Sequence, residues 1–263
     1  MKSTTRWACV VGLVTALAVV LVGGPAWAEP PAAPKVSSFA PAKDVAAEID
    51  KYVARLEEAV STEAEYKDTE GRTAKDSNTL ILLALAAGLH DEDNKYKAAA
   101  PELIKAAQEV AKAKDYASTK AAVELLKKAA ESTGDPSKLQ WVKLASLPET
   151  MKAVPLVNNR LKRNVRETRF KKAAKDNAGD SATLAVIAQG SMADTSEAKT
   201  PEQEKQWYKF CEEMRDNAAA VNKAVRAADL AATTKAVEVL AKNCDNCHEV
   251  FHKDQVGKSD KTD

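Results

Sequence analysis

The chain has 263 residues, and its 39 Lys and Arg are balanced by 38 Asp and Glu. This balance excludes a strong overall field of the kind that attracts nucleic acid or an anionic surface. Aromatic residues make up only 5% and Gly only 9 positions, while Ala, Lys, Glu and Leu are abundant, so we predict an all-α fold. With 45% hydrophobic and 29% charged residues, the composition is typical of a globular protein.

The first 28 residues are typical of a secretory signal peptide. Lys2 and Arg6 precede an apolar run over 8–22, and small residues at Ala26 and Ala28 suit a cleavage site. A membrane span needs about 20 apolar residues, so this run is short for one, and an uncleaved membrane anchor is the weaker alternative. We predict cleavage after Ala28 and a periplasmic or otherwise exported protein that keeps no stable membrane span.

A prolyl segment follows, and we predict that 29–43 is an extended Pro/Ala linker that does not pack. We expect the first helix to begin with Asp44 as its N-cap residue. Apolar spacing and capping signals then predict seven further helices and a polar tail. These helices cover about 77–89, 100–113, 116–132, 147–168 with a kink at Pro155, 181–192, 201–228 and 229–252, and the tail covers 254–263.

The second half of the chain repeats the first. Residues 113–128 and 227–242 are identical at 9 of 16 positions, and capping boxes at Ser146 and Thr200 open helices of the second half. We therefore predict two tandem four-helix bundles, over 44–140 and 141–253. The alternative is one irregular helical array in which the similarity arises by chance.

One motif carries chemistry: Cys244-Asp245-Asn246-Cys247-His248 is C-x-x-C-H, the attachment signature of c-type haem. Two thiols three residues apart lie on one face of a helix, where each can join a haem vinyl group. His248 then becomes the axial ligand of the haem iron. A redox-type disulfide is the weaker alternative because no βαβ pattern surrounds the motif, and zinc would require two more ligands.

The helical spacing indicates that both thiols face the bundle core. One stripe of the last helix contains Val237, Leu240, Cys244, Cys247 and Phe251. The aligned positions of the first bundle are Ala130, Thr133 and Gly134, none of which can hold haem. We therefore predict one covalent haem c per chain. Cys211 is predicted to be a buried free thiol, although pairing between molecules is possible for an odd cysteine.

The second bundle resembles the cytochrome c′ family, whose members carry C-x-x-C-H in the last of four antiparallel helices. Phe251 matches the aromatic position that follows the motif in this family, and Trp207 and Phe210 are similar to the start of its third helix. The resemblance covers about 147–253 and reaches the first bundle only through the repeat. His252 stands where the family usually has Arg near a haem propionate, so a propionate contact of His252 is what the resemblance implies.

The sixth ligand of the iron distinguishes two functions within this family. Members that transfer electrons place a Met from the first helix on the iron, and gas-binding members leave that position open. Met151 is the only Met on the first helix of the second bundle, on the stripe that includes Leu147, Val154, Asn158 and Leu161. It is either the sixth ligand or a core filler.

We expect an electron carrier that works with redox partner proteins. The alternatives are a five-coordinate haem protein that binds nitric oxide or carbon monoxide, and a helical protein that docks partners through its first bundle. No phosphate loop or catalytic triad is present in the sequence, so we do not expect an enzyme. A homodimer is possible because members of the family often dimerise.

Overall fold

The computed structural model describes residues 29–253, apart from the side chain of Glu70. The predicted signal peptide and the predicted polar tail lie outside these residues. The all-α prediction is confirmed, since no strand occurs between 29 and 253. The α-helices are α1 (Ala42–Ala59), α2 (Glu63–Leu89), α3 (Ala100–Lys112), α4 (Tyr116–Ala130), α5 (Leu147–Asn164), α6 (Glu167–Phe170), α7 (Ala174–Ser191), α8 (Pro201–Arg226) and α9 (Leu230–Phe251).

The eight long helices pack in two closed rings. In the first unit, α1–α4, each helix contacts the next and α4 returns to α1. In the second unit, formed by α5, α7, α8 and α9, the contacts follow the same order and α9 returns to α5. The corresponding helices of the two units thus occupy corresponding places, as expected for a duplicated four-helix arrangement.

The two units share one hydrophobic core. Helix α7 of the second unit packs against α1 and α2, and α2 packs against α5. A single cluster of buried side chains therefore runs through both units, from Leu83 and Leu126 to Leu184 and Leu240. The predicted boundary near residue 140 does not separate two independent cores.

Aligned residues of the repeat have the same structural roles in α4 and α9. Asp115 and Asp229 are the N-cap residues of these helices, and each side chain accepts a bond from a backbone N–H of the first turn. Leu126 and Leu240 are both 0% exposed. The identity at these positions therefore follows from equal caps and equal burial.

A second repeated segment escaped the sequence reading. Residues 76–80 of α2 and 180–184 of α7 both read Asp-Ser-x-Thr-Leu. Asp76 accepts a salt bridge from Arg55 of α1 at 2.9 Å, and Asp180 accepts one from Arg160 of α5 at 2.7 Å. The first two long helices of each unit are thus joined by equivalent ion pairs.

Buried polar contacts also join the units to each other. The Lys51 ammonium lies 3.1 Å from carboxylate oxygens of both Glu48 and Asp180. Thr183 donates to Glu48 at 3.2 Å, and a Cβ at Gly179 would collide with the Glu48 carboxylate. A side chain at position 179 would therefore displace the Glu48 carboxylate from its contacts between α1 and α7.

The predicted Pro/Ala linker is wrong over its second half. Val36 and Phe39 are 2% and 3% exposed, within the main core. The ring of His90 lies 2.9 Å from the Ala40 carbonyl oxygen, and Ser37 donates to Asp91 at 2.6 Å. The buried apolar side chains and these bonds hold the segment in place, so prolines alone were a poor guide here.

Several predicted helix ends are also wrong. Helix α1 has Pro41 as its N-cap residue, and the predicted cap Asp44 is instead buried and bonded to Asn222 at 2.8 Å. Helices α2 and α7 begin earlier than predicted, and the Ser146 side chain makes no cap bond. Helix α7 is buried along almost its whole length, which removes the apolar periodicity that marks a helix in the sequence.

Helix α5 also ends before its predicted limit. It stops at Asn164 and keeps Pro155 in its interior, and the separate helix α6 follows with Phe170 only 3% exposed. Between residues 29 and 253, no helix has the length and apolar character needed to cross a membrane.

Candidate functional site

The C-x-x-C-H motif lies within the last two turns of α9, which continues unbroken through it to Phe251. Cys244, Cys247 and His248 are all half-buried, and both thiols are free. The contrast with the preceding turns is sharp, because Val237 and Leu240 are 3% and 0% exposed while no residue from 244 to 251 is fully buried. The reactive groups thus lie on the inward stripe, at the point where the closely packed core ends.

The local environment keeps both thiols protonated near neutral pH. Burial, aided by the Asp245 carboxylate, raises the pKa of Cys244 to about 11. Burial, aided by Cys244, raises the pKa of Cys247 to about 12. A zinc site needs further ligands, and among residues 29–253 no three His, Cys, Asp or Glu side chains are grouped for a metal ion.

The motif lies on an extension that the first unit lacks. Ala130, the last residue of α4, aligns with Cys244, and α9 continues for about two turns beyond that point. The neighbouring helix, α8, is also extended: it begins more than three turns before the position that aligns with the start of α3. The corresponding part of the first unit, 91–99, consists of turns and irregular backbone. Two extensions, one on each of two adjacent helices, therefore create additional contact surface in the second unit.

A separate apolar cluster, the satellite cluster, fills the space at these extensions. Its buried members are Leu147, Met192, Trp207, Tyr208 and Cys211, and the half-buried side chains of Met151 and Phe251 pack against them. The satellite cluster is distinct from the main core and draws on α5, α8 and α9 together with the residue after α7. An apolar lining at this end of the bundle is what a porphyrin ring requires.

Aromatic and polar contacts hold the extension of α9 against α8. The Phe251 ring meets Trp207 edge-on at 5.3 Å between centroids and Phe210 at 6.3 Å. The Asn243 amide donates to Glu213 at 3.0 Å. The Trp207 indole donates to the Ser191 carbonyl at 3.0 Å, which fixes the ring from its other side.

Met151 lies at the same end of the bundle as the motif. It is half-buried and packs against both the main core and the satellite cluster. The other methionine of the cluster, Met192, is 3% exposed, and its sulfur accepts a bond from the Gln189 amide at 3.6 Å. The Met192 sulfur thus has a partner within the protein, and Met151 stays the predicted candidate for the sixth ligand position.

His252 follows α9 and lies next to Glu197. Its side chain is 45% exposed and lies 3.5 Å from Glu197, in the segment between α7 and α8. The ring centroids of His248 and His252 are 6.3 Å apart. The propionate contact of His252 stays a prediction, and the carboxylate of Glu197 is the neighbour that such a contact would have to accommodate.

Sequence reasoning anticipated the buried Cys211 thiol, which is 7% exposed and free. It missed the way in which Cys211, Met192 and Leu147 combine into one cluster beside the motif. The signal in the sequence that could have indicated this cluster is helix length, because α8 spans 26 residues and α3 only 13.

No family model, curated protein or solved structure matches this chain. The site therefore has to be interpreted from its own chemistry. The donor set, two thiols one turn apart and an adjacent imidazole next to an apolar cluster, fits the attachment of haem c. Cys244 and Cys247 would hold the porphyrin, and His248 would bind the iron.

Proposed function

We propose that this chain is an exported, all-α c-type cytochrome that carries one covalent haem and transfers electrons in the periplasm. The observation that carries the proposal is the C-x-x-C-H motif on an α9 extension that packs beside the satellite cluster. The first unit has neither the motif nor the extension. One haem per chain, in the second unit, is the consequence.

The protein's own residues have separate tasks in this proposal. Cys244 and Cys247 anchor the porphyrin, and His248 gives the iron its fifth ligand. Trp207, Phe251 and the rest of the satellite cluster keep water away from one end of the site. When bound, haem supplies an iron that alternates between the ferrous and ferric states.

Met151 favours electron transfer over gas binding. It is half-buried and packs against the satellite cluster that also contacts Phe251, one turn from the motif. A thioether ligand stabilises the ferrous state and raises the reduction potential, which suits an electron carrier. A site whose sixth position stays open to small gases is the second candidate, and Met151 decides between the two.

The test is an absorption spectrum of the natively exported protein, in ferric and ferrous forms and with carbon monoxide. Electron transfer through a six-coordinate iron predicts a low-spin ferric spectrum with a far-red sulfur-to-iron band and little response to carbon monoxide. A high-spin ferric spectrum and rapid carbon monoxide binding would replace electron transfer by gas binding. A colourless protein would overturn the proposal altogether.

A pair of volume-conserving variants assigns the ligand. Met151→Leu is expected to abolish the far-red band, because leucine fills similar volume but offers no sulfur. Met192→Leu is the matched control from the same cluster and is expected to leave the band in place. If both variants keep the band, Met151 is not the ligand.

A further inference from the structure

A third thiol lies beside the motif, and the proposed function does not use it. Cys211 belongs to α8, is 7% exposed and is a member of the satellite cluster. Helices α8 and α9 are consecutive and antiparallel, joined by the short turn at 227–229. The relative register of these two helices decides what Cys211 faces.

Two contacts fix that register on either side of Cys211. Trp207 meets Phe251 at 5.3 Å between ring centroids, and Glu213 accepts a bond from Asn243 at 3.0 Å. Cys211 is one turn after Trp207, and Cys247 is one turn before Phe251. The register therefore places Cys211 opposite Cys247, across the α8–α9 contact. The pKa of Cys211, which burial raises, is raised further by Cys247, as expected for neighbours.

The two cysteines of the motif are less suited to pair with each other. Residues three apart on a helix have Cβ atoms about 5–6 Å apart. A disulfide needs its Cβ atoms about 3.5–4.5 Å apart. Because α9 is unbroken from Leu230 to Phe251, a bond between Cys244 and Cys247 requires the helix to distort. The separation of two side chains that face each other across two helices is set by the packing of the helices and not by the fixed spacing within one helix, so such a pair can form a disulfide without breaking either helix.

We propose that, before haem is attached, Cys211 and Cys247 form a disulfide that withholds Cys247 from haem. This inference rests on the proposed function, because it concerns the control of the same site. Attachment would then depend on a dithiol reductant that frees both sulfurs. Once Cys247 carries haem, Cys211 stays a buried thiol.

The reaction is a thiol–disulfide exchange with an oxidised dithiol protein, or with oxidised glutathione in the test. The half-buried Cys247 sulfur attacks the external disulfide, and one external sulfur leaves as a thiol. The Cys211 sulfur then displaces the second external sulfur and forms the S–S bond with Cys247. The two protons of the cysteine thiols end on the two external sulfurs, so the cysteine pair is oxidised and the external disulfide is reduced.

The experiment uses the full mature chain produced without haem. The chain is equilibrated with oxidised and reduced glutathione, its free thiols are alkylated, and its tryptic peptides are analysed by mass spectrometry. Cys211 lies in peptide 210–215, and both motif cysteines lie in peptide 243–253. We expect these two peptides to be cross-linked, with Cys244 alkylated. A disulfide within 243–253, or three alkylated thiols, would overturn the proposal.

Variants identify which motif cysteine pairs with Cys211, and a denaturant tests whether the fold directs this pairing. Cys244→Ser is expected to keep the cross-link and Cys247→Ser to lose it; a cross-link that survives Cys247→Ser would contradict the assigned register. In concentrated urea the cross-link should decline in favour of the short loop between Cys244 and Cys247. If urea leaves the pairing unchanged, the fold does not direct it.

The blocking role has its own measurement, separate from that of the proposed function. Cys211→Ser is expected to raise severalfold the haem-loaded fraction of the exported chain when dithiol reductant is limiting. An unchanged fraction would overturn the blocking role while the cytochrome itself stands. A cross-link in an exported chain that never takes up haem would instead reject the proposed function.

Discussion

The last helices of the two units, α4 and α9, begin alike and end differently. Both helices begin with an aspartate cap and bury an equivalent leucine, yet α4 stops at Ala130 where α9 continues through the C-x-x-C-H motif. After α4 the chain turns back, and the Gly134 N–H donates to the Ala98 carbonyl at 2.7 Å. The shared scaffold thus carries the motif only in the unit whose last two helices are longer.

The largest expected effect is the loss of the proposed haem. Cys244→Ser combined with Cys247→Ser removes both sulfurs, and the exported chain should then keep no haem after denaturation. The mass of the intact chain measures this. A matched triple variant, called the graft, introduces the motif into the first unit through Ala130→Cys, Thr133→Cys and Gly134→His.

No second haem is expected on the graft, because the first unit lacks both extensions and the satellite cluster. A chain that gained the mass of a second haem would show that the motif alone is sufficient. The difference between the units would then lie in sequence rather than in shape.

The equivalent ion pairs of the two units should differ in their contribution to stability. Asp180 is fully buried and is bonded to both Lys51 and Arg160, whereas Asp76 forms an ion pair with Arg55. Breaking a buried pair costs about 3–5 kcal/mol because its partners are left uncompensated. Asp180→Ala should therefore lower the free energy of unfolding by about that amount.

The matched Asp76→Ala variant should cost less. Burial raises the pKa of Asp76 despite the nearby arginines, so its charged form is poorly compensated and its removal relieves part of that cost. Urea unfolding of both variants measures the difference. Equal losses would mean that the bonds of Asp180 across the units add nothing.

Core truncations test whether the units unfold together. Leu126→Ala and Leu240→Ala each remove a side chain that is 0% exposed, at an expected cost of about 2–5 kcal/mol. Because one core runs through both units, each variant should shift a single unfolding transition, followed by circular dichroism and tryptophan fluorescence. Two separable transitions, with each variant moving only one, would instead describe two independent bundles.

The smallest effect concerns the contact between α1 and α7. Burial raises the pKa of Glu48 above 4.5, so its protonated form favours the folded chain, and this contribution is lost as pH rises through the folded-state pKa. Glutamine does not titrate, so the Glu48→Gln variant does not lose this contribution. The free energy of unfolding of the variant, relative to that of the wild type, should therefore rise from acid to neutral pH. Glu57→Gln, with a side chain 40% exposed, is the control for the loss of charge. If the stability of Glu48→Gln relative to the wild type falls over the same pH range, the predicted direction is wrong.

The sequence was most informative where local chemistry decides structure. The motif and the cap at Thr200 could be predicted because spacing and residue type are sufficient to define them. The early start of α7 could not be predicted, since a helix buried on nearly all sides has no apolar stripe. The packing of Phe39 and the satellite cluster both depend on contacts distant in sequence, which no local pattern contains.

The central claim, a haem joined covalently to Cys244 and Cys247, is tested most directly by the mass of the natively exported chain after acid–acetone extraction. The account predicts one haem per chain that resists extraction and remains on peptide 243–253 after trypsin digestion. A mass equal to that of the polypeptide alone would contradict it.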